Sequence, residues 1–378
     1  MSTTPAPEAQ RAPFVPPPYP YDRLDGLKAL AEALPAGCVD LSIGTPVDPA
    51  PDAVVAALSA SRLERGYPPS IGTIELRQAA AHWLDRRLAA TIDPQHIGAC
   101  VGTKEFVATL PQWLRLRRPD RDTVLYPEIA YPTYEMGAIF AGCRPVPVPV
   151  DDRWRIDLAA IRPDDAARAL CLWVNTPGNP AGGLDDLDAA ADWGRHHDVP
   201  VFSDECYVEY TWVGPLCTIL RGGTDGVVSV HSLSKRSNFA GGRAGFYAGD
   251  PELVHYLQEV RKHAGLMVPG PVQAAAVVAL DDDRHVEVQR QRYRARLELG
   301  QKVLSRMGID CALPEGGFYL WVPAPGGDAW ALTERLAREA GALVSPGEFY
   351  GAAGRGHVRV AMVQPDDRLT LLTERVGV

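Results

Sequence analysis

The chain has 378 residues, 46% hydrophobic and 22% charged, which is ample for a large core and a smaller one at roughly 100–200 residues per domain. Its formal charge of −9 arises from 38 basic and 47 acidic residues without a long Lys/Arg block, so a nucleic-acid partner is not expected. The seven cysteines at 38, 100, 143, 171, 206, 217 and 311 are odd in number and include no CxxC pair; reduced thiols in a cytoplasmic protein are expected, not a disulfide frame or a metal site. The start lacks a basic region followed by an apolar run, and no stretch reaches the roughly 18 apolar residues of a spanning helix, so no membrane association is expected.

Residues 1–20 carry seven prolines, which predicts an extended or unstructured segment. From Leu41 onward short apolar runs alternate with amphipathic stretches. That pattern predicts the α/β class, with a mainly parallel sheet flanked by helices and a smaller α/β domain. Three runs are clearest: Ala169–Val174, Val199–Ser203 and Val227–His231, with a polar helical stretch Leu184–His197 between the first two. Their starts are 30 and 28 residues apart, the length of a βαβ unit. They end in Asn175, in Asp204 and in Ser232 to Lys235. Ligands of open α/β sheets bind beyond the carboxyl ends of the strands, so these residues are expected to face one crevice. Beyond Pro271 come a charged helical stretch from Val272 to Arg306, a strand-like Gly317–Val322, an amphipathic helix near Trp330–Ala340 and a strand-like His357–Val363. The expected division is a proline-rich segment 1–20, a small domain of 21–45 plus 272–378, and a large domain of 46–271.

Ser232-Leu233-Ser234-Lys235, with Arg243 in the following Gly241-Gly242-Arg243-Ala244-Gly245, offers an amine, two hydroxyls and a guanidinium after one strand. An amine for an aldehyde and a cation for a phosphate are what pyridoxal phosphate requires. Taken singly, each motif reads as ordinary structure: Asn175-Thr176-Pro177-Gly178-Asn179-Pro180 as a turn, and Asp204-Glu205-Cys206-Tyr207 as a helix cap beside a core tyrosine. Their succession at consecutive strand ends, in the order Asn, Asp/Tyr, Lys, Arg, argues for a shared site.

With these motifs the chain resembles the class I/II aminotransferases of the fold-type I pyridoxal-phosphate enzymes, over nearly its whole length after the proline-rich start. The resemblance implies that Lys235 carries the cofactor as a Schiff base and shuttles protons, that Asp204 pairs with the pyridine nitrogen, and that Asn175 and Tyr207 bind the phenolic oxygen. It implies a phosphate held by Ser232, Ser234 and Arg243 with Thr103 and Lys104 at a helix start, and Tyr131 stacked on the ring. Tyr67 matches a tyrosine that reaches the phosphate of the neighbouring subunit, which implies a homodimer with shared active sites. Arg359 matches the arginine that grips the substrate α-carboxylate, with Gly44 nearby.

The strings Leu41–Pro49, Tyr126–Tyr134, His231–Asn238 and Arg261–Gln273 are similar to the actinobacterial type of N-succinyldiaminopimelate aminotransferase. That similarity implies amino transfer between N-succinyl-L,L-2,6-diaminopimelate and 2-oxoglutarate in lysine biosynthesis, with a cation near the distal end; Arg236, Arg261 and Lys262 are candidates. Three rival readings stand beside it. They are an aminotransferase of broad specificity using another amino-acid and 2-oxo-acid pair, a carbon–sulfur β-lyase on the same fold, and a non-catalytic cofactor-binding regulator.

Overall fold

The computed structural model describes residues 13–377, built on a sheet of seven strands: β1 (Ile97–Cys100), β2 (Thr123–Pro127), β3 (Arg144–Val148), β4 (Ala169–Asn175), β5 (Val201–Asp204), β6 (Val227–Ser232) and β7 (Gly245–Gly249). Their spatial order is β1-β7-β6-β5-β4-β2-β3. β7 is antiparallel to both its neighbours, and the other pairings are parallel. The three runs picked out from the sequence are β4, β5 and β6. Leu172 and Val174 enter one core with Leu125, Val201 and Val227, while Cys171 and Trp173 enter the core on the opposite face with Val124, Phe202 and Val228. Every residue of β4 is buried, and burial on both faces is why it reads as an unbroken apolar run.

The covering helices start at capping residues. Thr73 Oγ1 accepts the Leu76 N–H at 3.2 Å at the start of helix Ile74–Leu88. Asp186 does the same for Ala189, at 3.0 Å, before helix Leu187–His197. Both satisfy amides that a first helical turn leaves free.

A second core joins Val39 and Leu41 to Leu297, Leu304, Leu320, Leu336 and Leu369. Its strands Ser345–Pro346, His357–Ala361 and Tyr319–Pro323 form an antiparallel sheet, and Val39–Asp40 pairs with Ala342–Leu343. The helical stretch expected from Val272 to Arg306 is in fact two helices, Gly270–Asp281 and Arg284–Arg306. The break falls where Asp282 Oδ1 accepts the Arg284 N–H at 2.8 Å, since a carboxylate satisfies a helix start and opposes its dipole. The first of these helices buries Ala275, Ala276, Ala279 and Leu280 in a core of the large sheet. The change of core therefore follows residue 281, later than the expected boundary at 272.

Of the proline-rich segment expected over 1–20, residues 1–12 lie outside the described residues. Residues 13–19 are exposed and form neither helix nor strand, and Pro20–Leu24 is a short 3-10 helix. No described helix is long and apolar enough to cross a membrane, and the seven cysteines are free.

Candidate active site

β4, β5 and β6 run in register, with Asn175 opposite Asp204 and Asp204 opposite Val230, so the polar residues at their ends are delivered to one edge of the sheet. Asn175 ties two ends together: its Nδ2–H donates to the Asp204 carbonyl at 2.8 Å, and its Oδ1 accepts the Asn179 N–H at 2.8 Å. Asp204 is 6% exposed. One carboxylate oxygen accepts the Tyr134 hydroxyl at 2.9 Å and the other accepts the Cys206 N–H at 3.2 Å. Burial pushes its pKa up, while these donors and the Lys235 amine pull it back down.

Lys235 lies in the short helix Leu233–Arg236, which Ser232 caps by accepting the Ser234 N–H at 3.1 Å. Its Nζ donates to the Gly44 carbonyl at 2.6 Å. Burial brings its pKa down to about 8, so a usable fraction of the amine is neutral near neutral pH, the form that attacks a carbonyl.

An anion seat adjoins the amine. Gly102, at φ +71°, caps helix Thr103–Arg117, and a Cβ there would run into the Arg243 guanidinium. The guanidinium therefore lies directly over the helix start, where free N–H groups and the helix dipole favour an anion. Thr103 Oγ1 accepts the Cys206 thiol at 3.3 Å, which ties the helix start to the end of β5, and Lys104 is exposed next to it. Ser232 pairs with Gly245 at the start of β7, and a Cβ on Gly245 would lie 3.4 Å from the Thr103 side chain. The serine strand end thus comes to the same place. An amine for an aldehyde, a seat for a phosphate and a buried carboxylate within electrostatic reach of the amine fit pyridoxal phosphate.

Arg359 closes the crevice from the second core. It is 3% exposed, and its donors reach Asn179 Oδ1 at 2.9 Å, the Ser42 carbonyl at 2.6 Å and the Tyr21 hydroxyl at 3.4 Å. The guanidinium lies 4.3 Å from the Tyr319 ring centre and 4.6 Å from that of Tyr350. These acceptors are neutral and its Nε has no partner, which leaves a buried cation set to take an anion. Gly44, whose carbonyl takes Lys235, lies two residues from Ser42, whose carbonyl takes Arg359. A Cβ on Gly44 would collide with the Tyr319 hydroxyl, which itself bonds the Tyr207 hydroxyl at 2.9 Å.

Of the sequence candidates, Tyr131 reaches this edge, packing edge-on against Tyr134 with ring centres 6.1 Å apart. Tyr67 is 96% exposed and stands clear of the others within one chain. The three cations weighed for a distal carboxylate are engaged elsewhere: Arg261 on Glu105, Arg236 on Glu209 and Asp283, and Lys262 with Glu259. Tyr134, Asn179, Tyr319, Tyr350 and Tyr21 were not among the candidates. Tyr134 and Asn179 lie inside strings already singled out, and Tyr319 follows the Gly316-Gly317 pair, whereas nothing local marks Tyr21 or Tyr350.

Tyr134→Phe removes one of two hydrogen bonds from a buried carboxylate. The expected loss in kcat is about tenfold, toward the low end of the roughly 1.5–3 kcal/mol that a hydrogen bond to a charged group contributes. Because the Tyr134 donor holds the Asp204 pKa down, the acid limb of kcat against pH should move upward.

The family of class I and II aminotransferases matches residues 36–376. The chain is 42% identical over 368 residues to the 4-dedimethylamino-4-oxo-anhydrotetracycline transaminase of Streptomyces rimosus, covering 95% of this chain and 99% of that one. It is 35% identical over 375 residues to the LL-diaminopimelate aminotransferase of Aquifex aeolicus, covering 95% and 96%. A solved structure described as a probable N-succinyldiaminopimelate aminotransferase from Thermus thermophilus superposes with a TM-score of 0.85 at 30% identity, covering 95% and 99%. The chain belongs to the class I and II aminotransferases and is a pyridoxal-phosphate-dependent aminotransferase.

Proposed function

We propose that this enzyme moves the amino group of an amino acid to a 2-oxo acid in the crevice bounded by Lys235, Asp204 and Arg359, acting on a pair other than N-succinyl-L,L-2,6-diaminopimelate and 2-oxoglutarate. The observation that carries the reaction is the meeting of three groups: a buried carboxylate, an amine held on the Gly44 carbonyl, and a buried guanidinium whose acceptors are all neutral.

Pyridoxal phosphate, when bound, supplies an aldehyde for the amino group and a ring that accepts the electrons left on the substrate Cα. Lys235 would anchor it and, at its neutral Nζ, would take the proton from the substrate Cα and hand it to the former aldehyde carbon of the cofactor. Asp204 would keep a proton on the ring nitrogen by facing it with negative charge. Asn175 and Tyr207 would donate to the phenolic oxygen, and Tyr131 would lie against the ring. Thr103, Lys104, Ser232, Ser234 and Arg243 would hold the phosphate. Arg359 takes the substrate α-carboxylate through paired N–H groups, with Gly44 leaving room beside it. Tyr67 completes the site of a neighbouring subunit in a homodimer. Support for the dimer comes from Tyr67 itself, which is 96% exposed and so open to a second copy of the chain.

Two observations support the choice of substrate. Relatives at comparable similarity are named for different amino acceptors and donors, and Arg236 and Arg261, proposed for a distal carboxylate, are buried on carboxylates of their own. The second reading, N-succinyldiaminopimelate, draws on the similarity to the Thermus thermophilus protein. A panel of amino acids added to the holoenzyme, with the visible cofactor band followed, tests both. Conversion by several amino acids but not by N-succinyldiaminopimelate supports the first reading. Conversion confined to N-succinyldiaminopimelate and glutamate selects the second.

A further inference from the structure

We propose that Arg261 is a positioning residue for the cofactor phosphate: it neutralises Glu105 in the first turn of helix Thr103–Arg117, so that the helix start and Arg243 present undivided positive charge. This rests on the reading of Gly102, Thr103, Lys104 and Arg243 as the phosphate seat.

Gly102 must be glycine to admit Arg243, so the helix start has no side-chain cap of its own. Glu105, in the first turn, instead reaches back past the helix start, where its Oε2 accepts the Val101 N–H at 3.2 Å. A carboxylate there stabilises the helix start, but it also places an anion beside the seat intended for another anion. Arg261, from helix Pro251–His263, resolves the conflict with a two-pronged pairing, Nη1 to Oε1 and Nη2 to Oε2, both 2.8 Å. The Arg261 side chain is 1% exposed and that of Glu105 19%. The guanidinium lies 5.3 Å from the Phe106 ring and 5.6 Å from that of Tyr247. Locked in this way, its charge is committed to Glu105. A buried ion pair is a poor source of stability compared with apolar packing, so its use here is explained by what each partner does: Glu105 ties the segment ahead of the helix to its first turn, and Arg261 cancels the charge that this brings.

The test is the dissociation constant for pyridoxal phosphate, from absorbance titration of the apoprotein, with circular dichroism as a check on folding. Arg261→Met should weaken binding about tenfold or more, the scale of one uncompensated charge near an anion. Adding Glu105→Gln to it should restore affinity to within about threefold of wild type, as coupling within one pair requires. Glu105→Gln alone should bind at least as tightly as wild type, and this holds as a test even where Arg261→Met fails to fold. Weaker binding in Glu105→Gln, or a double variant as weak as Arg261→Met, overturns the proposal. Arg243→Gln separates the two layers. If it leaves the constant unchanged, the phosphate seat itself is misplaced and the role of Arg261 falls with it. If it weakens binding while the double variant shows no recovery, the role of Arg261 alone is rejected.

Discussion

Lys235→Ala is expected to abolish amino transfer, with a loss of roughly ten-thousandfold or more, because one side chain supplies both the covalent anchor and the mobile proton. No neighbour can substitute: Lys104 is exposed at the helix start, whereas Lys235 Nζ is directed at the Gly44 carbonyl. That carbonyl is its one polar partner, so the variant should fold and keep the crevice. The amine also predicts a pH dependence in the native chain. Burial brings its pKa down to about 8 from the usual 10.5, and the neutral form is the nucleophile. The rate at which apoprotein takes up cofactor should therefore rise as pH approaches 8 and level off above it. A rate still climbing at pH 10 would mean that the amine is not in the environment described.

Asp204→Asn is expected to bind the cofactor yet lose about a thousandfold in kcat, the scale seen when a preorganised charge is removed from a water-excluded site. The substitution keeps the shape and one acceptor for the Cys206 N–H, and it removes the charge. Asp204 occupies a costly position for a carboxylate, since burial works against its ionisation and the donors Tyr134 and Cys206 only partly offset this. A protonated ring nitrogen is the counter-charge that makes the position favourable, which is why charge and not shape should carry the effect. Near-normal kcat in the variant would show that another group faces the ring nitrogen.

Much of the candidate site was legible in the sequence because its residues stand at strand ends. β4, β5 and β6 are buried on both faces, so their apolar runs stop abruptly at Asn175, Asp204 and Ser232, and the stop itself marks the chemistry. What was hidden depends on partners far apart in the chain. Tyr134 bonds a carboxylate 70 residues away. Arg261, read from its charge as a candidate for substrate, meets Glu105 across 156 residues, and no local pattern records that its charge is already committed. Tyr319 is central because Gly44, from the other end of the chain, leaves space for its hydroxyl. The break in the helical stretch after 281 was masked because Asp282 and Asp283 suit a helix surface as well as a helix start. Tyr67, 96% exposed in one chain, takes the role proposed for it only with a second copy of the chain.

The most direct measurement is to reduce the holoenzyme with borohydride, which fixes the cofactor to the amine that holds it, and then to map its peptides by mass. One modified peptide is expected, carrying the reduced cofactor on Lys235. Label on another lysine, or cofactor that washes away after reduction, would contradict it.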